Sequence, residues 1–150
     1  MRAYTFSIHV DRPPQTVWAF LTDLSQTAKW RTMFRSMEVV GGGPLRAGAE
    51  LRIVTEAYGK VTERTSSTLV FDPPRRWVMG SERDGVSGEF DYTVLPDGTG
   101  AKLVASCDLK AHRWLAWLFL PIIARQQKKL RTTQMDAFKR ACEAATQRPR

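Results

Sequence analysis

The sequence predicts an α+β fold: a curved seven-stranded antiparallel sheet wrapped around a long C-terminal helix, with two short helices after the first strand. Three observations carry this. Residues 3–10 and six further segments between 33 and 109 read as strands joined by short turns, which gives an antiparallel meander. Each strand offers one apolar face, so the sheet is covered on one side only. The one element long enough to cover it is the amphipathic stretch Pro121–Thr146, about 39 Å as a helix.

The elements follow in order. In AYTFSIHV, residues 3–10, Tyr4, Phe6, Ile8 and Val10 share one face and Thr5, Ser7 and His9 the other. Asp11 ahead of Pro13 and Pro14 reads as a capping acid followed by proline in a first helical turn. Val17, Phe20, Leu21 and Leu24 continue at helical spacing, and Ser25 is placed to cap a second short helix ending at Trp30. Strands are expected over 33–40, 50–57, 60–71, 76–82, 86–95 and 101–109. Gly41-Gly42-Gly43-Pro44, Tyr58-Gly59, Asp72-Pro73-Pro74-Arg75, Asp84-Gly85 and Pro96–Gly100 supply the breaks between them. In the terminal helix, Ile123, Ala124, Leu130, Met135, Phe138, Ala141, Cys142 and Ala145 gather on one face. Gln127, Arg131 and Gln134, spaced i, i+4, i+7, interrupt that face, and a helix that only plugged a core has no need of them there.

At 150 residues the chain has the length of one domain, with residues 147–150 as a frayed tail. Such a chain buries roughly 70% of its unfolded surface and needs no disulfide staples. Cys107 and Cys142 accordingly read as small buried hydrophobes in a reducing compartment. The N-terminus shows no signal peptide, and the longest apolar run, 114–124, is short of a membrane span, so a soluble cytoplasmic protein is expected. The net charge is +8, and residues 113–150 carry nine Lys/Arg against two Asp/Glu. That basic face has no interleaved aromatics, so nucleic acid is not an expected partner.

The segments IHVDRPPQTVWAFLTDLSQTAKW, VFDPPRRW, LPDGTGAKL and LPIIARQQKKLRTTQMDAFKRACE resemble the START-like helix-grip superfamily, in its polyketide cyclase/dehydrase-like (SRPBCC) branch. The resemblance covers nearly the whole chain and implies one START-like domain with a hydrophobic cavity between sheet and terminal helix. It also implies a small hydrophobic ligand of lipid, polyketide or aromatic type, bound or transported, or acted on by a cyclase or dehydratase. It selects none of these, because the motifs form the fold and not an active site.

No phosphate loop or nucleophile elbow is present. His9 and His112 have no ligands at metal spacing, and no metal or cofactor is expected. The cavity candidates are Gln127, Arg131 and Gln134 from the helix, with Trp30, Phe34, Trp77, Phe90 and Tyr92 as lining or core. Arg131 can pair with a ligand carboxylate or phenolate, or with an acid from the sheet. Counted back from Phe71 by twos, Glu63 points inward; a Glu63–Arg131 pair is then either structural or the one acid/base couple the chain offers. Trp114–Leu120, with Trp117 at its centre, reads as a lid over the cavity mouth or as an interfacial membrane anchor with transient contact. The assembly is expected to be a monomer or homodimer.

Overall fold

The computed structural model describes residues 1–145. The expected tail at 147–150 and the expected helix end at Thr146 lie outside them. The strands are β1 (Arg2–Val10), β2 (Phe34–Val39), β3 (Glu50–Ala57), β4 (Lys60–Asp72), β5 (Arg76–Arg83), β6 (Val86–Asp97) and β7 (Gly100–Ala111). The helices are α1 (Pro14–Thr22), α2 (Thr27–Trp30, entered through a 3₁₀ turn) and α3 (Trp114–Ala145). All strands form one antiparallel sheet in the order β1-β7-β6-β5-β4-β3-β2. The meander runs from β2 to β7, and β1 adds to its far edge. The helix-grip architecture expected from the sequence is the one observed, with α3 lying across β1, β7 and β6 and against α2.

The core is a chain of aromatic rings that ties layers together. Phe20 of α1 meets Phe138 of α3 at 5.4 Å, and Phe138 meets Trp30 of α2 at 5.0 Å, both edge to face. Trp30 then meets Tyr92 at 6.3 Å and Tyr92 meets Trp77 at 6.2 Å, on β6 and β5. These are favoured quadrupolar geometries, and each ring buries a large apolar area against another element.

Four local features differ from expectation. Helix α3 begins at Trp114, seven residues ahead of Pro121, and runs through the proline, whose ring faces solvent. The missing Pro121 amide removes one hydrogen bond on the exposed side, and the helix continues beyond it. Asp11 does not cap α1; its amide donates to Glu143 Oε2 at 2.9 Å, and Pro13 holds the N-cap position. The turn into α2 is capped by Asp23, which accepts from the Ser25 amide at 3.1 Å, so Ser25 is not the cap.

The fourth difference is a bulge in β4. Thr68 pairs with Met79 and Val70 with Val78, which leaves Leu69 as the extra residue. Leu69 spreads over Gly80, where a Cβ would come within 2.8 Å of its Cδ1. The bulge reverses the inside–outside phase along the strand. Phe71, Thr68 and Ser66 point inward, and Arg64, though exposed as a residue, reaches the cavity from the same face, whereas Glu63 points out.

At the start of β7, a Cβ on Gly100 would lie 2.5 Å from the Val10 carbonyl oxygen. Backbone cannot yield there as a flexible side chain can, so Gly100→Ala is expected to cost about 1–3 kcal/mol in urea unfolding. A midpoint equal to that of wild type would show that β1 and β7 separate more easily than their pairing implies.

Candidate ligand-binding cavity

The interior between sheet and α3 is not filled. A cavity of about 210 Å³ is walled by Phe34, Met37, Ile53, Met79, Phe90 and Leu130 among apolar side chains. Its polar lining includes Arg31, Arg64, Arg83, Gln127, Arg131 and Gln134 beside threonine and serine hydroxyls. A second space of about 340 Å³ adjoins it through the shared Arg64, Ser81, Arg83, Phe90 and Gln127, and opens beside Ala116, Phe119 and Ile123 of α3. A mostly apolar chamber with a few placed polar groups is the usual character of a small-molecule site.

The stripe Gln127, Arg131 and Gln134 faces this space, as the helical spacing predicts. Arg131 is buried, and its Nε donates to Tyr4 Oη at 2.8 Å while its Nη1 donates to Tyr92 Oη. Its guanidinium also lies 5.3–5.8 Å from the ring centres of Tyr4, Phe90 and Tyr92. Burial works against the Arg131 charge, but the facing phenols outweigh it, and the net effect raises its pKa. Burial also holds the Tyr4 phenol above its usual range, with Arg131 pulling the other way. The partners of Arg131 are therefore two phenols and not an acid from the sheet.

Glu63 is displaced from the site by the Leu69 bulge. Its side chain is 59% exposed and lies 3.7 Å from Arg52 Nε on the outer face. The Glu63–Arg131 couple does not form, and the acid/base nomination goes with it. Phe34 and Phe90 line the cavity as expected. Trp30, Trp77 and Tyr92 stand behind its wall, in the aromatic chain of the core. Trp117 is 66% exposed and lines neither space. The segment around it is helical and does not fold down as a lid; only Ala116 and Phe119 reach the outer space. His9 binds Asp97 at 2.8 Å and His112 binds Ser87 at 2.8 Å, both at the surface. Among the described residues no group of three His, Cys, Asp or Glu side chains is placed to hold a metal.

Arg31 is the residue that sequence reasoning missed. It is 4% exposed, it lines the cavity, and its Nε and Nη2 have no hydrogen-bond partner. Its guanidinium sits 4.3 Å from the Trp30 ring centre, 5.2 Å from Tyr92 and 5.5 Å from Phe34. Burial pushes its pKa down to about 10, with Tyr92 opposing and Arg131 adding to the shift, which leaves it cationic at neutral pH. A cation directly after one aromatic and three residues before another, in Trp30-Arg31-Thr32-Met33-Phe34, was the available signal. The Gln134 Oε1 is likewise buried and unpartnered.

The family described as polyketide cyclase / dehydrase and lipid transport matches residues 1–143. The chain belongs to this family. Solved structures agree on the fold at low sequence identity. TTHA0849 from Thermus thermophilus superposes with a TM-score of 0.73 at 19% identity, covering 95% of this chain and 97% of that one. Ara h 8.0201 gives 0.73 at 16% identity, with 95% of each chain covered. The ZhuI aromatase/cyclase from Streptomyces sp. R1128 gives 0.71 at 17% identity, covering 96% and 94%. No functionally curated protein matches the chain in sequence.

Three substitutions test this description of the site. Arg131→Met leaves two buried phenols without their donor and is expected to cost about 2–4 kcal/mol. The thermal midpoint then falls by roughly 5–15 °C. Tyr4→Phe added to Arg131→Met is expected to cost less than Tyr4→Phe alone, because the shared bond is already gone. Glu63→Gln is expected to stay within about 0.5 kcal/mol of wild type. Additive losses for Tyr4 and Arg131 would remove the bridge between them.

Proposed function

We propose that this polyketide cyclase/dehydrase and lipid transport family member binds and carries a small hydrophobic ligand between sheet and α3. The observation that carries the reading is the cavity itself: a space left open between sheet and α3, with an apolar wall that includes Phe34, Met37, Ile53, Met79 and Phe90 set against polar and cationic side chains. The family description, which includes lipid transport, supports it. A cyclase or dehydratase acting in the same space is the reading suggested by the ZhuI aromatase/cyclase. Arg31, Arg64 and Arg131 would favour enolate-like charge on a substrate, but moving a proton is a separate task. With Glu63 on the outer face, carriage remains the better-supported reading.

A second observation favours contact with a membrane during carriage. The first turns of α3 expose Trp114, Leu115, Trp117, Leu118, Phe119 and Ile122, each more than half exposed. Arg113, Arg125, Lys128 and Lys129 flank them. Tryptophans beside a basic helix face suit the interface of an anionic bilayer. Phe119 belongs both to this patch and to the wall of the outer space, so a docked protein would face its opening toward the lipid. Among the described residues no helix is long and apolar enough to cross a membrane. Two free buried cysteines, with the Cys107 thiol pushed up to about 11 by burial, fit a reducing compartment such as the cytoplasm.

The neutral dye N-phenyl-1-naphthylamine is expected to bind the purified protein with enhanced fluorescence. Ser81 lines both spaces, and Ser81→Trp is expected to weaken the dye at least tenfold by occupying its volume. Equal binding by the two proteins would place the dye outside the cavity and remove the carrier reading. In vesicle sedimentation, wild type is expected to pellet with anionic vesicles and Trp117→Ser severalfold less. Absence of pelleting by either protein ends the membrane reading alone.

A further inference from the structure

We infer that the inner cavity is built for a monocarboxylate with an apolar body, its two carboxylate oxygens seated on the Nε–Nη2 edge of Arg31. The inference rests on the hydrophobic-ligand reading and names the chemical class of that ligand.

The argument begins with charge. Arg31, Arg64, Arg83 and Arg131 line the inner cavity, and its lining includes no Asp or Glu. Arg83 is largely exposed and lies 3.5 Å from Asp84, so solvent and a neighbour satisfy it. Arg64 lies at the cavity with a guanidinium 5.8 Å from the Phe34 ring centre, and burial, Arg83 and Arg131 lower its pKa. Arg131 already donates to both phenols. Arg31 alone is at least nine-tenths buried, faces the cavity and keeps two guanidinium nitrogens unpartnered.

Geometry selects the ligand's polar end. The Nε and Nη2 groups project in parallel from one side of the planar guanidinium, and that fork matches the two oxygens of a carboxylate. A buried cation without a counter-ion is costly, and its aromatic neighbours offset only part of the cost. Water can satisfy the N–H groups but leaves the charge unneutralised. A carboxylate does both. One unpartnered guanidinium edge takes one carboxylate, because Arg131 has already turned its Nε and Nη1 groups to the phenols. The Gln134 amide, buried with an unpartnered oxygen, offers a neutral polar contact in the same chamber. Phe34, Met37, Ile53, Met79 and Phe90 then receive the apolar body.

The test uses the whole protein and a matched pair of ligands, decanoate and decanol, each displacing N-phenyl-1-naphthylamine. In wild type, decanoate is expected to displace the dye at concentrations at least tenfold below decanol. In Arg31→Met that gap is expected to close, decanoate and decanol being compared within the same protein so that any change in dye affinity cancels. Decanoate is also expected to raise the thermal midpoint of wild type and not of Arg31→Met. Arg31→Gln, which keeps a polar side chain, serves in its place if the methionine variant does not fold. Equal potency of decanoate and decanol in wild type overturns the anion site while leaving the hydrophobic cavity intact. An unchanged gap in the Arg31 variants overturns Arg31 as its seat. If neither the dye nor either ligand binds wild type, the carrier reading fails and this inference with it.

Discussion

The fold is held around one buried cation. Arg131 reaches from the middle of α3 to Tyr4 on the edge strand β1 and to Tyr92 on the interior strand β6. Its bonds join residues 127 and 39 positions apart in sequence, and no single element can replace the link. Phenols as partners have an electrostatic consequence. A carboxylate in their place would cancel the guanidinium, whereas a phenol keeps its proton and leaves the charge in force. The interior therefore carries a positive field, and Arg31 lies within it, pushed further from its ordinary state by Arg131. Two like charges held in one apolar interior define what the cavity can accept more strongly than its shape does.

The same helix serves packing and site with different stretches. Toward its C-terminal end, Met135, Phe138 and Cys142 are buried in the main core with Trp30 and Phe20. At its centre, Gln127, Arg131 and Gln134 replace hydrophobic side chains on the same face, and there the packing opens into the cavity. At its beginning, Leu120 and Ala124 hold it to a smaller cluster with Tyr4, Cys107 and Leu109, while the first turns stay uncovered. The three regimes follow from composition along one face: apolar and dense, then polar and hollow, then apolar and exposed.

Much of this was legible in the residues. Strict alternation in β1, and in β7 from Ala101 to Leu109, gave the inward faces directly, because each strand keeps its two-residue period through the region that matters. The polar stripe on α3 stood out because three polar residues at helical spacing have no other place on an apolar face. What stayed hidden were breaks in period. One extra residue at Leu69 reversed the phase of β4 and exchanged Glu63 for Arg64 at the cavity, and its only trace is the glycine opposite, Gly80. Arg31 follows a four-residue helix too short to show a periodic face, so nothing local marked its side chain as buried. Pro121 suggested a helix start, and tolerance of a proline on the solvent side overrode it.

The position of β1 at the sheet edge has a further consequence, for the living history of the chain. Among the described residues its sole strand partner is β7, so residues 2–10 have nothing to pair with until residues 100–111 have been made. At synthesis rates of about 5–20 residues per second, that is a wait of roughly 5–20 s. During it, β1 exposes Tyr4, Phe6, Ile8 and Val10 in one apolar row, an open template for wrong pairing. The meander can assemble as each hairpin emerges, since its contacts are local. Closure of the edge, burial of Tyr4 under Arg131 and sealing of the cavity then become late and nearly simultaneous events, and chaperone dependence should concentrate in that interval.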